Sequence, residues 1–227
     1  MQLTDRILLR LHVEAVWDVH FASPVLNDVE LSAEDSQLFW NLCVADLASG
    51  RVYIWRPGVT AIEREVLRLR ADEALTSSSV GVPLSEVHRE VALSLVAAPR
   101  FDKATAATIA RPLTEKDQAL IEAFDPGSQD YYFHPQRQPL IGVVIAGQLV
   151  SLAHSSRRTL EACELGIDTL AEARRKGYGL AATILWTQSI LQEGLVPIYS
   201  ADASNTASLR LADAAGYRAF AKIATLE

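Results

Sequence analysis

The segment Arg174-Arg175-Lys176-Gly177-Tyr178-Gly179 contains the residues whose types and spacing are best suited to binding an anion. It follows a strand-like run, Cys163 to Leu170, and precedes an apolar-patterned helix predicted from about Leu180 to Leu191. The first N–H groups of a helix have no partner inside it, and the helix dipole adds about half a positive charge there. Gly177 and Gly179 would let the backbone approach an anion closely. The sequence therefore predicts a site for the pyrophosphate of a large cofactor.

The composition of the chain excludes several classes of protein. With 227 residues, 49% of them hydrophobic and 22% charged, the chain is typical of a soluble globular protein. Its net charge of −7 gives no global basic field for nucleic acid or an anionic membrane. Cys43 and Cys163 form neither a disulfide framework nor a zinc pattern and suit a reducing compartment. Because no segment looks like a signal peptide or a membrane span, we expect a cytoplasmic protein.

Residues 1–103 predict a smaller, α-rich N-terminal domain of unknown role. Met1 to His20 begins amphipathically, without a spacing clean enough to assign helix or strand. The remaining predicted elements are helices from Ser32 to Ala48, from Thr60 to Leu75 and from Ser85 through Leu95, a strand from Arg51 to Trp55, and a loop from Ser77 to Pro83. No chemical motif occurs in this part, and its histidines have no partners at metal-ligand spacing, so no metal site is expected. The helical pattern stops at Pro99, which predicts a domain boundary near residue 103.

Residues 104–227 predict a second domain in which strands and helices alternate. Thr114 and Asp117 form a capping pattern that starts a helix reaching Phe124. The other predicted elements, in order, are a β-compatible run from Ala106 to Ala110, strands from Leu140 to Ile145 and from Leu149 to Ala153 around an Ala146-Gly147 turn, a basic loop from Ser155 to Thr159, the strand and helix around the glycine turn, a strand from Val196 to Ala201, a helix from Asn205 to Gly216, and a strand from Tyr217.

Two motifs coincide in this second part. Arg174, Gly177 and Gly179 fit the pattern Arg/Gln-x-x-Gly-x-Gly/Ala, and a second signature, Asn-x-x-Ser-apolar-x-apolar followed by Gly-aromatic, is met by Asn205, Ser208, Leu209, Leu211, Gly216 and Tyr217. Together they resemble the GNAT superfamily of acyl-CoA-dependent N-acyltransferases, over roughly Thr105 to Glu227. Arg111 to Asp117 also looks like that family's opening strand and helix. The resemblance implies an α/β (α+β) fold, with a mixed, mostly antiparallel sheet flanked by helices, preceded by the α-rich N-terminal domain.

The resemblance also implies acetyl-CoA as the acyl donor. In the family, the strand before the glycine turn pairs with the pantetheine arm, the turn holds the pyrophosphate, and the next strand diverges to admit the thioester. Asn205 matches a pantetheine contact, although a helix N-cap is the alternative interpretation. The implied cofactor-binding residues are Ile167, Asp168, Thr169, Arg174, Arg175, Lys176, Gly177, Tyr178, Gly179, Leu180, Asn205 and Ser208.

Acyl transfer to a primary amine requires a base, because a lysine-like amine has a pKa of about 10.4 and must lose a proton before it attacks. Glu164 occupies the position where family members with a strand-borne glutamate carry this base; a solvated strand-end carboxylate is the alternative. Asp168 alternates onto the same face and is the second candidate. A backbone N–H such as that of Ile167 would stabilise the oxyanion.

The general acid is not evident in the sequence. The position where family members often carry a tyrosine is Ala212. A thiol pKa of about 8.5 would allow the thiolate to leave without a proton. Tyr199 is either a substitute acid or a packing residue, and His154 either lines an acceptor pocket or is structural.

We therefore predict an N-acetyltransferase that moves an acetyl group directly to a primary amine of a small molecule or a protein. Its partner would be the amine acceptor, with neither nucleic acid nor membrane involved. The alternative is a non-catalytic acyl-CoA-binding or interaction module built on a degenerate domain of this family. The N-terminal part is expected to cover the acceptor side or to mediate oligomerisation, as in a homodimer.

Overall fold

The computed structural model of the chain describes residues 3–35, 37–76 and 87–227. Its helices in these ranges are α1 (Asp5–Trp17), α2 (Ala61–Thr76), α3 (Lys103–Ile109), α4 (Gln118–Phe124), α5 (Gln129–Tyr132), α6 (Tyr178–Gln192) and α7 (Thr206–Ala214). Its strands are β1 (Val29–Glu30), β2 (Leu42–Leu47), β3 (Gly50–Trp55), β4 (Val87–Leu95), β5 (Arg111–Pro112), β6 (Ile141–Ile145), β7 (Gln148–Arg158), β8 (Ala162–Thr169), β9 (Val196–Asp202) and β10 (Tyr217–Leu226).

The chain divides into two compact units. The first comprises Met1–Ser94, Ser200–Thr206 and Ala219–Glu227, and the second comprises Leu95–Tyr199 and Ala207–Arg218. The first unit thus receives two short segments from late in the chain, which a division at residue 103 does not anticipate. The assignment of residues 1–103 and 104–227 as separate domains stays a prediction.

In the first unit the strand order is β1-β3-β2-β10-β4. Strand β2 pairs antiparallel with β3 and with β10, whereas β1 and β3 are parallel. Alternate residues of β2 enter two separate apolar clusters: Cys43 packs in the cluster that includes Leu9 of α1, and Val44 packs in the cluster that includes Leu67 of α2. Both faces of β2 are therefore covered.

Two predicted helices of the N-terminal part are wrong. The stretch from Ser32 to Ala48 contains β2 and, before it, a single 3₁₀ turn, and the apolar positions before Leu95 belong to β4. In β2 five of the six residues are buried, so the period of two that identifies a half-buried strand is lost. In β4 the apolar residues Val87, Val91 and Leu95 recur every four residues, a spacing that also fits a helix. Ser85 and the predicted loop from Ser77 to Pro83 lie outside the described residues.

One predicted strand and one predicted helix of this part are confirmed, and the undecided N-terminal stretch is helical. The predicted strand at Arg51 and the predicted helix at Thr60 are β3 and α2. The undecided stretch is α1, whose first turn is capped by Thr4, because the Ile7 N–H donates to the Thr4 hydroxyl at 3.4 Å.

In the second unit the strand order is β9-β8-β7-β6-β5. All neighbours in this series are antiparallel except β8 and β9, which are parallel. The structure contains the predicted strands, the long helix after the glycine turn and the final helix. It also contains the predicted capping interaction, in which the Thr114 N–H donates a hydrogen bond to the Asp117 carboxylate at 2.9 Å. Two expectations are wrong: Ala106 lies in α3 rather than in a strand, and the predicted basic loop from Ser155 continues β7 as far as Arg158.

The predicted α/β (α+β) class, with a mixed, mostly antiparallel sheet and flanking helices, is thus confirmed. Within the part of the chain that the structure describes, every helix is too short or too polar to cross a membrane.

Candidate functional site

Strand β8 has an open edge beyond Glu164. Its pairing with β9 consists of three residue pairs and ends at Glu164 and Ile198, whereas β8 continues to Thr169. Both strands are fully described over this stretch, so the five residues after Glu164 have no registered partner on β9. The two parallel strands therefore separate, as the resemblance implied for the strand after the glycine turn.

The hydrogen bonds between β8 and β7 show which backbone groups of β8 point toward its open edge. The Leu170 N–H donates to the Val150 carbonyl at 3.0 Å, which makes these two residues a hydrogen-bonded pair. Because such pairs alternate along an antiparallel ladder, the N–H and C=O groups of Ile167 and Thr169 point away from β7. The Thr169 carbonyl accordingly accepts a hydrogen bond from Arg174 Nε at 3.2 Å. The N–H of Ile167 thus faces the gap between β8 and β9.

The basic turn after β8 has the backbone form of an anion site. Arg175 and Gly177 have φ angles of 62° and 83°, and α6 begins directly afterwards at Tyr178. The N–H groups in the first turn of this 15-residue helix have no partner within the helix. The side chains of Arg174, Arg175 and Lys176 are all exposed. A positively charged, N–H-lined surface therefore follows the open edge of β8.

Gly177 and Gly179 serve different purposes in this turn. A Cβ at Gly177 would have no heavy atom within 4 Å, so this glycine is required by its left-handed backbone and leaves open space in front of it. A Cβ at Gly179 would lie 3.1 Å from Thr169 Oγ1 and 3.6 Å from Leu211 Cδ2. Gly179 therefore lets the start of α6 pack closely against β8 and α7, which adds a packing role to the predicted cofactor role.

The residues of the second motif, from Asn205 to Tyr217, make hydrogen bonds and packing contacts that stabilise the fold. The backbone N–H of Asn205 donates to the Asp202 carbonyl at 2.9 Å, directly before α7. Ser208 Oγ lies 2.8 Å from the hydroxyl of Tyr199. Gly216 has a φ of 94°, and a Cβ there would lie 2.2 Å from the Ala97 carbonyl oxygen, so only glycine fits. The cofactor roles of Asn205 and Ser208 stay predictions.

Glu164 is buried, so the interpretation as a solvated strand-end carboxylate is wrong. The residue is only 3% exposed. Its Oε2 accepts hydrogen bonds from Arg157 Nη1 at 2.8 Å and from Ser156 Oγ at 2.9 Å. The register of β7 against β8 shifts between Ser155 and Arg157, and this bulge places Arg157 opposite Glu164. The carboxylate is therefore an ion-paired group inside the protein.

His154 lies on the same face of the sheet, against Gly166 of β8. A Cβ at Gly166 would lie 2.3 Å from His154 Cε1, so the imidazole covers the glycine backbone. His154 Nε2 is 3.3 Å from the hydroxyl of Tyr131, and the Tyr132 ring packs edge-on against the imidazole at 5.1 Å. Burial lowers the pKa of His154 to about 4, with the charge of Arg137 lowering it further and Glu164 opposing the shift. The imidazole is neutral at pH 7.

Two carboxylates border this aromatic group. Partial desolvation raises the pKa of Asp168, the charge of Asp125 raises it further, and Arg174 opposes the shift. Burial likewise raises the pKa of the Tyr132 hydroxyl, and the charges of Asp168 and Asp125 add to the effect. Sequence reasoning named His154 and Asp168 but missed the two tyrosines. Their only signal was an aromatic, polar loop ahead of the strands.

The candidates for a general acid are packing residues. Tyr199 is 1% exposed, its hydroxyl donates to the Ser208 carbonyl at 3.2 Å, and its ring packs edge-on against Tyr217 at 5.5 Å. Ala212, at the position where the family often carries a tyrosine, is fully buried. The packing interpretation of Tyr199 therefore fits the geometry.

The comparisons with known proteins agree with this geometry. The sequence matches the GNAT acetyltransferase family over residues 100–224, more than half of the chain. The chain belongs to the GNAT acetyltransferase family. This confirms the resemblance inferred from the two motifs.

Two solved structures illustrate the similarity. A protein from Novosphingobium aromaticivorans assigned to the GNAT family is 25% identical, with a TM-score of 0.50 over 66% of this chain and 70% of that chain. A GNAT-family acetyltransferase from Colwellia psychrerythraea is 14% identical, with a TM-score of 0.52 over 77% of this chain and 75% of that chain. At that identity the second likeness shows the fold alone. No curated protein matches the sequence.

Proposed function

We propose that this chain is an acetyl-CoA-dependent N-acetyltransferase that moves an acetyl group directly to a primary amine of a small molecule or protein. The observation that carries the proposal is the open edge of β8 beyond Glu164, which leads into the left-handed basic turn and the N-terminus of α6. An open strand edge, at which the Ile167 N–H and C=O face the gap, followed by an anion cradle fits a ligand with an amide-bearing arm and a pyrophosphate.

The residues of the second unit fit such a donor. The Ile167 backbone, facing the gap, would hydrogen-bond the amides of the pantetheine arm. The N–H groups from Arg175 to Leu180 would hold the pyrophosphate, and the exposed Arg175 and Lys176 would add positive charge. Once bound, the donor supplies a thioester carbonyl as the electrophile.

The acceptor amine would approach on the face that carries Glu164 and His154. Asp168 and Asp125 give this region negative charge, which attracts an ammonium group, and the neutral His154 does not repel it. Glu164 would take the proton from the amine, directly or through a water molecule. Removing that proton exposes the nitrogen lone pair, and the Ile167 N–H would stabilise the oxyanion that forms on attack. The amide product would then form as the carbon–sulfur bond breaks and the thiolate of the donor leaves.

The positive charge of Arg157 affects how Glu164 could act as the base. It allows the Glu164 carboxylate to remain buried, because a buried charge needs a partner. Because Arg157 Nη1 and Ser156 Oγ both donate to Oε2, an acceptor amine would have to displace one of these donors to reach that oxygen. Asp168, on the same face but exposed, is the second candidate base.

The alternative is a non-catalytic acyl-CoA-binding module. Two observations favour it: the carboxylate of Glu164 is occupied by Arg157 and Ser156, and the family's tyrosine position is a buried alanine, Ala212. In that case the open edge and the basic turn would bind the donor without turnover.

Two measurements test the proposal in sequence. Calorimetry of the full chain with acetyl-CoA tests the donor site, and an absence of heat at millimolar cofactor would end both the enzyme and the binding-module hypotheses. Release of free thiol in the presence of a panel of primary amines then separates them. Turnover with at least one amine supports the enzyme, and binding without turnover supports the module.

We place the reaction in the cytoplasm, since the two buried cysteines, Cys43 and Cys163, are free thiols.

A further inference from the structure

Arg137 is a cation of the second unit whose hydrogen-bond donors are not used by the protein. It ends the 3₁₀ turn Pro135–Arg137 and is half-buried. Its guanidinium lies over the Tyr131 ring, 4.3 Å from the ring centre, and its side chain makes neither a hydrogen bond nor an ion pair with any residue that the structure describes. Arg158, the other half-buried arginine of this unit, is paired with Glu193. The five N–H groups of the Arg137 guanidinium are therefore available to a ligand.

The segment that carries Arg137 is fixed to strand β7 beside His154. The carbonyl of the next residue, Gln138, accepts a hydrogen bond at 2.6 Å from the hydroxyl of Ser155, which follows His154 in β7. The hydroxyl of Tyr131, on whose ring the guanidinium rests, lies 3.3 Å from His154 Nε2. Arg137 is thus held through its backbone and through an aromatic ring, which reduces the conformational freedom that ligand binding would have to remove.

Arg137 and the candidate base both act on the buried imidazole of His154. Burial lowers the pKa of His154, the charge of Arg137 lowers it further, and the charge of Glu164 opposes the shift. The two charges therefore lie near one ring, but they are not paired with each other, since the Glu164 carboxylate is bound by Arg157. An acceptor whose amine approaches Glu164 can therefore carry a second, anionic group that reaches Arg137.

The charge of this region favours a carboxylate as the anionic group. A guanidinium has parallel N–H groups that match the oxygens of either a carboxylate or a phosphate. A phosphate carries about 1.5–2 negative charges at neutral pH. One arginine would leave part of that charge uncompensated, in a region that already contains Asp125 and Asp168. A carboxylate carries a single charge, which one guanidinium neutralises.

We propose that the acceptor of this chain is a small amine that also carries a carboxylate, that is, an α- or ω-amino acid, and that Arg137 binds the carboxylate. The inference rests on the proposed acyl transfer and names its substrate class. One proton of the ammonium group would go to Glu164, and the nitrogen would attack the thioester carbonyl. A second proton would pass from the nitrogen to solvent as the carbon–sulfur bond breaks and the thiolate leaves.

The test compares amines that differ in the carboxylate. Release of free thiol by the full chain at saturating acetyl-CoA gives kcat and KM for glycine, β-alanine and γ-aminobutyrate. Ethylamine, propylamine and butylamine are the matched alkylamines, since they have the same numbers of carbon atoms. For at least one amino acid we expect a kcat/KM on the order of tenfold or more above that of its alkylamine, because a charge-assisted hydrogen bond contributes an effect of this size.

Two further amines probe the other acceptor chemistries. Aminoethylphosphonate replaces the carboxylate of β-alanine by a phosphate-like group, and Nα-acetyl-lysinamide represents the side-chain amine of a protein. We expect both to have a lower kcat/KM than the preferred amino acid. A higher value for either would overturn the proposal.

Substitutions at two arginines assign the preference to Arg137. Arg137→Gln should lower the ratio of kcat/KM for the preferred amino acid to kcat/KM for its alkylamine on the order of tenfold, mainly through a higher KM for the amino acid. Arg137→Lys retains the charge without the planar fork and should lower the ratio less. Arg100→Gln removes an exposed positive charge from the same unit and should leave the ratio unchanged. Because the ratio is taken within one preparation, a loss of folded protein does not alter it.

The outcomes separate this inference from the acyl transfer on which it rests. Equal kcat/KM for amino acids and alkylamines would overturn the carboxylate preference and leave the transfer standing. A ratio that is unchanged in Arg137→Gln, or that falls equally in Arg100→Gln, would overturn the role of Arg137. An absence of thiol release with every amine, from protein that binds acetyl-CoA in calorimetry, would contradict the transfer and this inference together.

Discussion

Glu164 Oε2 and Arg157 Nη1 lie 2.8 Å apart across neighbouring strands, and Ser156 Oγ donates to the same carboxylate oxygen at 2.9 Å. The bulge in β7 provides both donors, since it inserts one extra residue before Arg157. The candidate base is therefore held by the two residues that the shift in register brings to it. Its role can be tested by changing either side of the pair.

Replacing Glu164 by glutamine should lower kcat on the order of a hundredfold at neutral pH, because the amide cannot accept the proton of the amine. The measurement is thiol release over a range of pH at saturating acetyl-CoA. Glu115→Gln, an exposed change in the same unit, is the control. An unchanged pH–rate profile in Glu164→Gln would remove this residue from the role and leave Asp168 as the candidate.

Replacing Arg157 by glutamine should lower the free energy of unfolding by about 1–3 kcal/mol, because the buried Glu164 carboxylate would lose its charged partner. The measurement is urea denaturation at neutral pH. The loss should be much smaller when the same change is made in Glu164→Gln, which has no carboxylate for Arg157 to neutralise. An equal loss in both backgrounds would show that Arg157 does not stabilise the fold through this ion pair.

Replacing Gly177 by alanine should weaken acetyl-CoA binding and also cost about 1–2 kcal/mol of unfolding free energy, since the left-handed backbone at φ 83° is unfavourable for a residue with a Cβ. Gly147→Ala is a matched control: Gly147 has a φ of 81° and, like Gly177, open space around its Cβ position. We expect both variants to lose similar stability in chemical denaturation. Only Gly177→Ala should show a higher dissociation constant by calorimetry.

Replacing Arg175 and Lys176 together by glutamine should raise the dissociation constant for acetyl-CoA about tenfold at low ionic strength. The difference should shrink at about 0.5 M salt, because exposed charges are screened there. Lys103→Gln with Lys116→Gln removes the same net charge from exposed positions outside the turn. An equal loss of affinity in this control would assign the effect to overall charge rather than to the turn.

His154 should make the protein less stable as the pH falls from neutrality. Its pKa is about 4 in the folded chain, against an ordinary value of about 6.5, so the unfolded chain binds the proton first. Stability is therefore lost as the pH falls below the unfolded value, by about 2 kcal/mol between pH 7 and pH 5, and the loss from this group ends below pH 4. Urea denaturation at several pH values should show a shallower dependence in His154→Gln. His20→Gln, an exposed change, should retain the full dependence.

The sequence by itself determined the part of this protein that local chemistry specifies. The basic glycine turn, the helix that follows it and the hairpin at Ala146-Gly147 depend on residues close together in the chain, and each was predicted from glycine positions and periodicity. The order of the two motifs was sufficient to identify the family. Local patterning did not reveal β2, because burial on both faces makes every residue of the strand except Asp46 apolar.

Only the tertiary structure decided how the catalytic candidates are arranged. That Glu164 meets Arg157 depends on a register shift between two strands, and that His154 covers Gly166 depends on the pairing across the same ladder. The open edge at Ile167 exists because β9 stops pairing after Glu164, which no residue of β8 encodes locally. Register and strand divergence are set by the packing of whole elements. For that reason the glycine turn and the helix after it could be predicted from the sequence, while the surroundings of Glu164 and His154 could not.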